Sequence, residues 1–467
     1  MSSFRKQTVT LSFALLASVA FAQEKKAEPA ASKTTTPPPA VFTWGGDVRV
    51  RYEAYDSAQT LNEDAPFHIR DYYRVRTRAW ANIVPFKDAA ISVRLAAEPR
   101  YWYNNSSVAG EGKEWKYAIV DNLNAKWSSP SAGSVPVTVV VGRQDIQLGD
   151  QWLVGDGTPV DGSWTTFFDG ARATLDLKGL KTKVDVIGFD QQAHPKDHFP
   201  ILGRQAAYTL MEQDEKGAVV YASNKSIKNT QIDGYFIYKR DSKVTSSGNN
   251  GEAYTAGARV AGTISPKWQY SSEVAYQWGR RDLALRYPTT QAARMRTIEA
   301  SGSISKLTYL FKDKLNNQIS VLAEYLSGDD KDTTGTDEMF DVLWGRYPRV
   351  GETWAVAYSA ETSSRNAQYQ NMSRIGATWT ISPIKDGSIA TSYFAMFAPE
   401  NVPTRAATAN LFSRDGHFRA HTVQVVAKQK INKWLNALLF AEASFLGDYY
   451  THHDRITFVR AELLATF

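Results

Sequence analysis

The sequence of 467 residues contains no cysteine. A disulfide framework, a thiolate metal site and a cysteine nucleophile are therefore excluded. Mean hydropathy is negative, at −0.38. Beyond residue 22 no apolar run approaches the length of a membrane helix, so a bundle of such helices is excluded too. Charge of one sign is also scarce. Lys and Arg number 54 against 48 Asp and Glu, a formal net charge of +6, which does not by itself point to nucleic acid. Aromatic residues are plentiful, with 13 Trp, 23 Tyr and 21 Phe. A polar, aromatic-rich chain without cysteine points to β structure more than to helix.

Residues 1–22 read as a secretory signal. Arg5 and Lys6 form a basic start, Val9 to Val19 a short apolar core, and Ala20-Phe21-Ala22 a small-x-small site for cleavage after Ala22. Residues 23–41, rich in Lys, Thr and Pro, cannot bury a core and read as a disordered linker. The folded part is then 42–467. An exported chain without cysteine suits the envelope of a Gram-negative bacterium.

From Phe42 onward the dominant pattern is alternation. Val48, Val50, Tyr52 and Ala54 alternate with Arg49, Arg51 and Glu53. Tyr73, Val75, Thr77 and Ala79 alternate with Arg70, Tyr72, Arg74, Arg76 and Arg78; Ile91, Val93 and Leu95 alternate with Ser92, Arg94 and Ala96. A period of two sorts residues onto the two faces of a strand, whereas a helix would scatter these arginines around its axis. Similar segments recur near 115–128, 136–147, 168–178, 181–191, 231–240, 252–265, 267–280, 293–310, 317–327, 353–363, 371–382, 387–398, 417–428, 433–446 and 456–467. The expectation is an all-β chain, a transmembrane antiparallel up-and-down β-barrel of about 18 strands, with 16 to 20 open.

The segment 456–467 supports this. Thr457, Val459, Ala461, Leu463, Ala465 and Phe467 form one face, and Arg460 and Glu462 lie on the other. Ending such a strand on Phe looks like the signal read by the barrel-assembly machinery of the outer membrane. Apolar residues on one face and charges on the other suit lipid outside and water inside. Trp44, Trp80, Trp102, Trp115, Trp127, Trp268, Trp278, Trp379 and Trp434 fall near segment ends, where an interfacial girdle would place them. Parity counted from the two ends disagrees about the membrane side of 328–350. Either a short strand within 192–230, such as Gly217 to Ser223, escapes the pattern, or the short-turn, long-loop rule fails locally.

The candidate functional residues are the inward row Arg70, Arg74, Arg76 and Arg78, flanked by Arg49 and Arg51 and by Arg94 and Arg100. Arginines in a narrow lumen create a positive field and grip carboxylates with a planar fork. Alternatively they brace the wall, with Glu53, Glu98, Glu273, Glu299, Glu324 and Glu462 as partners. Asp330, Asp332, Thr334, Gly335 and Asp341 follow the order of a calcium loop, but flanking helices are not expected and the last ligand is Asp rather than Glu, so an acidic solvated loop is the favoured reading. His194 and His198 lack the glutamate of a metalloprotease helix. Ser303-Ile304-Ser305-Lys306 falls in a strand rather than at a helix start. No cofactor, catalytic group or nucleic-acid motif is expected.

The sequence resembles the alginate export family of outer-membrane barrels. The resemblance rests on Val141-Gly142-Arg143-Gln144-Asp145, Leu148-Gly149-Asp150-Gln151-Trp152-Leu153-Val154-Gly155, Trp164 and Phe168-Asp169-Gly170-Ala171-Arg172. It continues through Glu324-Tyr325-Leu326-Ser327-Gly328-Asp329 and Leu343-Trp344-Gly345-Arg346-Tyr347-Pro348. It implies a monomeric barrel of 18 strands with a basic constriction for an acidic polysaccharide leaving the cell. Arg74, Arg76, Arg143 and Arg172 occupy matching arginine positions, with Asp169 as the acidic member. The parity of Arg143 is ambiguous, because Val139-Val140-Val141 breaks the alternation. The expected function is an outer-membrane channel passing anionic solutes, with export of an acidic, alginate-like polysaccharide through an arginine-lined lumen whose binding residues also include Arg460 and Glu462. The alternatives are a general or nutrient-specific porin with bracing arginines, and a surface enzyme or adhesin mounted on a barrel.

Overall fold

The computed structural model describes residues 41–104, 113–114, 118–129, 135–155, 167–194, 211–283, 286, 295–363, 365–413 and 415–467. The signal and linker calls, Trp115, Trp164 and His198 lie outside them, apart from Val41. Eighteen strands form the wall. They are β1 (Phe42–Asp56), β2 (Ile69–Phe86), β3 (Ala89–Ala97), β4 (Ile119–Ser128), β5 (Val137–Gln144) and β6 (Phe168–Leu177). Then follow β7 (Thr182–Gln191), β8 (Gln213–Asn224), β9 (Thr230–Lys243), β10 (Gly251–Ser265), β11 (Trp268–Asp282) and β12 (Met295–Leu310). The remainder are β13 (Gln318–Leu326), β14 (Met372–Ile381), β15 (Gly387–Phe397), β16 (Phe418–Lys430), β17 (Leu435–Leu446) and β18 (Arg455–Thr466). After Pro99 the chain resumes pairing with β2 through Arg100–Asn104.

Each strand pairs antiparallel with its sequence neighbour, and β1 closes on β18 from Asp47↔Thr466 to Asp56↔Thr457. Gly46 and Phe467 exchange backbone hydrogen bonds of 2.9 Å at this seam. Closure leaves no sheet edge, as a hydrocarbon environment requires. Alternation follows from the two solvents. In β1 Asp47, Arg49, Arg51, Glu53 and Tyr55 are buried inside, while Val48, Val50, Tyr52 and Ala54 face outward. Trp44, Trp127, Trp268, Trp379 and Trp434 are exposed on the outer surface, but Trp102 is buried against Tyr72, their rings 4.3 Å apart, so it does not belong to a girdle.

Two expectations are corrected, and together they restore the parity. The segment 353–363 is not a strand but the helix α1 (Glu352–Thr362). Nine of its eleven residues are buried, on every side. With no contrast between faces, the letters carried no usable period. The strand that escapes the pattern is β8, paired with β7 and β9. Its inward residues Glu215, Gly217, Val219 and Tyr221 mix charge, a missing side chain and apolar groups. Gly217 is required there, because a Cβ would lie 2.2 Å from the ring of Phe189. With β8 added and 353–363 removed, short turns such as 178–181, 266–267 and 431–434 lie at one end. The long connections 57–68, 145–167, 192–212, 327–371 and 398–417 lie at the other. In outer-membrane barrels the short turns are periplasmic, so 328–350 is on the extracellular side.

Described parts of the long connections fold into the interior. Leu148, Trp152, Leu153 and Val154 pack with Phe340, Leu343, Trp344, Trp354 and Tyr358 in one buried cluster with inward wall residues such as Phe189 and Val219.

Candidate functional site

The seam carries the arginine row. Register places Arg49 opposite Arg76 and Arg51 opposite Arg74, a like-charge juxtaposition that destabilises a bare sheet. Carboxylates relieve it. Arg49 meets Glu98 at 3.2 Å, Arg74 meets Glu98 at 2.7 Å and Glu53 at 3.5 Å, and Arg76 meets Asp47 at 3.1 Å. Arg78 donates to Asp47 at 2.6 Å, Arg51 is paired with Glu462, and Arg460 donates to Glu53 at 2.7 Å and reaches Glu352 of α1 at 2.8 Å. Arg94 binds Asp121 and Asp145, each at 2.9 Å. Arg70 stands apart at the loop end, its guanidinium 4.7 Å from the Trp102 ring and donating to Gln59 at 3.1 Å. Most of this row is therefore buried in alternating-charge contacts that cross-brace β1, β2 and β18. Of the carboxylates expected as partners, Glu299 faces outward and Glu273 accepts from the Tyr235 hydroxyl at 2.8 Å.

Arg143 grips Asp169 through two 2.7 Å hydrogen bonds, as a planar fork allows. It also donates to the Val120 carbonyl at 2.8 Å and lies 3.7 Å from the Phe167 ring centroid. The parity ambiguity has a cause. Gly142, at φ +119°, breaks the pleat, so Val141 is 53% exposed outside while Arg143, of the same parity, is 1% exposed. Arg172 pairs with Asp185 at 2.9 Å on the neighbouring strand.

Deeper in, two long connections cross. Residues 145–155 descend from β5, and Asp150 reaches Arg259 of β10 at 2.5 Å and accepts from Ser271 of β11. Arg259 also binds Asp233 at 2.9 Å. Burial raises the Asp150 pKa, but the hydrogen bonds from Arg259 and Ser271 outweigh it and hold the carboxyl below its usual range. Trp152 donates its indole N–H to Glu324 at 2.9 Å. Glu324 also receives Arg374 at 2.7 Å and Arg349. Val154 bridges to Trp344, and Trp344 donates its indole N–H to Glu215 at 2.7 Å. Gly345 is needed at this crossing, since a Cβ would lie 1.9 Å from the Trp152 carbonyl oxygen. Two cavities adjoin Asp150 and its neighbours. One, of about 700 Å³, is lined by Gly149, Arg172, Asp185, Lys225, Lys228 and Arg259. The other, of about 570 Å³, is lined by Asp150, Trp152, Arg259, Lys306, Arg349 and Arg374.

The calcium-loop residues are not brought together. Asp330 accepts from the Asp332 backbone at 2.9 Å, whereas Asp341 turns to Arg281 at 3.5 Å and accepts from Gln368 at 3.1 Å. Among the described residues no three potential metal ligands of the His, Asp or Glu type converge. Arg259, Lys306, Arg349 and Arg374 were absent from the sequence-based candidates. Inward parity could have found Arg259 and Arg374; Arg349 sits in a loop with no periodicity to read.

A closed barrel with apolar residues outside and paired charges inside defines an outer-membrane, porin-like channel protein. The chain belongs to the alginate export family, whose model matches residues 41–457. Solved structures share the fold at low identity. OccAB1 of Acinetobacter baumannii is 13% identical, with 91% of this chain and 96% of that one covered at a TM-score of 0.54. OccAB4 of the same organism is 9% identical, with 92% and 98% covered at 0.54. OccK11 (OpdR) of Pseudomonas aeruginosa is 11% identical, with 91% and 96% covered at 0.51. No curated protein matches the chain. Family and fold point to a channel rather than an enzyme.

Proposed function

We propose that this outer-membrane channel passes anionic solutes, and that its substrate is an acidic polysaccharide leaving the cell. The observation that carries the anion preference is at Glu324. Two guanidinium groups, Arg349 and Arg374, share that single carboxylate beside Lys306 in the 570 Å³ cavity. The surplus positive charge faces open space in a low-dielectric lumen, where it attracts anions. The polymer class rests on family membership. Arg143, Arg172 and the seam arginines would hold the wall open and add to the field. The barrel would act as a monomer in lipid, after cleavage behind Ala22 and insertion by the assembly machinery.

A second reading, a solute-specific porin, is favoured by cavity size, because spaces of about 570 and 700 Å³ suit a small molecule. The deciding experiment is the single-channel reversal potential under a salt gradient, repeated with an added oligouronate. Anion preference with block by the oligouronate supports the polysaccharide channel. Anion preference without block favours the porin reading. A cation-selective or non-selective pore overturns the anion assignment altogether.

A further inference from the structure

At the extracellular end, away from the Glu324 cavity, four arginines line a small cavity of about 40 Å³: Arg281, Arg286, Arg365 and Arg405. Three of them have carboxylate partners. Arg281 meets Asp337 at 2.8 Å, Arg286 meets Asp329 and Asp337 at 2.9 Å, and Arg365 meets Glu212 at 2.8 Å. Arg405 has none among the described residues. It is 6% exposed, and among the described residues its only hydrogen-bond acceptor is the Ser247 backbone carbonyl at 2.9 Å.

The segment that carries Arg405 is held in place. Thr404 donates to the Glu361 carboxylate at 3.2 Å, and Thr408 donates to the Glu361 carbonyl at 2.7 Å. Glu361 is itself committed to Arg419 at 2.8 Å. A guanidinium fixed in a buried site with one neutral acceptor is left short of negative charge. Asp282 is also among the lining residues, and the C-terminus of α1 at Thr362 contributes a partial negative charge. That is roughly half a unit, less than the cation it faces. Burial and the nearby Arg365 and Arg286 push Arg405 down to about 10, against the opposing pull of Glu212. The remaining polar lining includes the amide residues Asn249 and Gln370. The space holds two or three waters, or one compact anionic group.

We propose that this cavity is an oxyanion-binding site that takes a single carboxylate or phosphate group, with Arg405 as its principal ligand. Arginine's planar fork presents parallel donors to two oxygens of such a group. The test of this site can fail separately from the channel assignment, because it is read by equilibrium binding rather than by conductance.

The test is calorimetric titration of inorganic phosphate into the full-length barrel in detergent at low salt. Saturable binding is expected, with Arg405→Gln weakening it about tenfold or more and Arg405→Lys falling between, since a charge-assisted contact is lost. Displacement of phosphate by an oligogalacturonate supports the site and names the polymer's carboxylates as its source of anions. Saturable binding without displacement supports it and names a free anion. Absence of saturable binding, or equal affinity in Arg405→Gln, overturns it. If that variant fails to assemble, crystals of the unaltered protein soaked in selenate decide. An anomalous peak within hydrogen-bond distance of Arg405 is expected, and an empty cavity overturns the assignment.

Discussion

Asp150 and Arg259 stand 109 residues apart in the chain and meet at 2.5 Å inside the barrel. The contact pins the 145–155 segment to the wall between the two large cavities. Asp150→Asn removes the charge and keeps the shape. We expect longer open dwell times and higher mean conductance in single-channel recordings, with an unchanged assembled barrel on a heat-modifiability gel. Unaltered gating would show that Trp152 and Val154 hold the segment without it.

The same contact predicts a pH effect of definite sign. Because the Asp150 carboxyl is held below its usual range, its contribution is complete above the normal carboxylate pKa of about 3.9 and is lost as pH falls below that. Conductance should therefore rise on acidification below about pH 4. In Asp150→Asn this acid step should disappear.

Charge reversal at the seam tests bracing against filtering. Arg74→Glu with Arg76→Glu would set new carboxylates against Glu53, Glu98 and Asp47. Breaking a buried pair typically costs about 3–5 kcal/mol, so the expected result is a barrel that assembles poorly or melts early. A well-assembled double variant with reversed ion selectivity would instead make this row the filter.

Arg349→Gln leaves Glu324 paired with Arg374 and removes the surplus charge. We expect anion preference to fall, read as a shift of the reversal potential toward zero, with little change in thermal stability. The contrasting Glu324→Gln leaves both guanidiniums buried without a carboxylate and should destabilise by about 3–5 kcal/mol.

Trp354 is fully buried in α1, and its indole N–H donates to Thr422 at 2.9 Å. Trp354→Ala should release α1 from the wall at a cost of about 3–5 kcal/mol, raising protease sensitivity near 352–362 while the strands remain intact.

The wall was legible in the sequence because lipid and lumen impose opposite demands on successive residues. That contrast located the arginines of β1 and β2 and several partners, Glu53, Glu98 and Glu462 among them. It failed wherever the interior is protein rather than water. β8 faces Trp344 and Phe189, so Val219 and Tyr221 look no different from outward residues. α1 is enclosed on all sides, and its Ala-rich letters can be read in either period. The crossing of Trp152 with Trp344 depends on contacts between segments remote in sequence, and only the family resemblance brought those residues forward.

The seam between β1 and β18 has a consequence for biogenesis. Arg51 and Glu462, partners across it, are separated by 411 positions. Until β18 arrives, β1 presents an unmatched hydrogen-bonding edge, together with Arg51, whose partner Glu462 lies on the absent strand. The ring cannot be completed progressively from its first hairpin. A nascent intermediate must be chaperoned as an open sheet, and premature stops anywhere before β18 should yield aggregates cleared by periplasmic proteases rather than smaller pores.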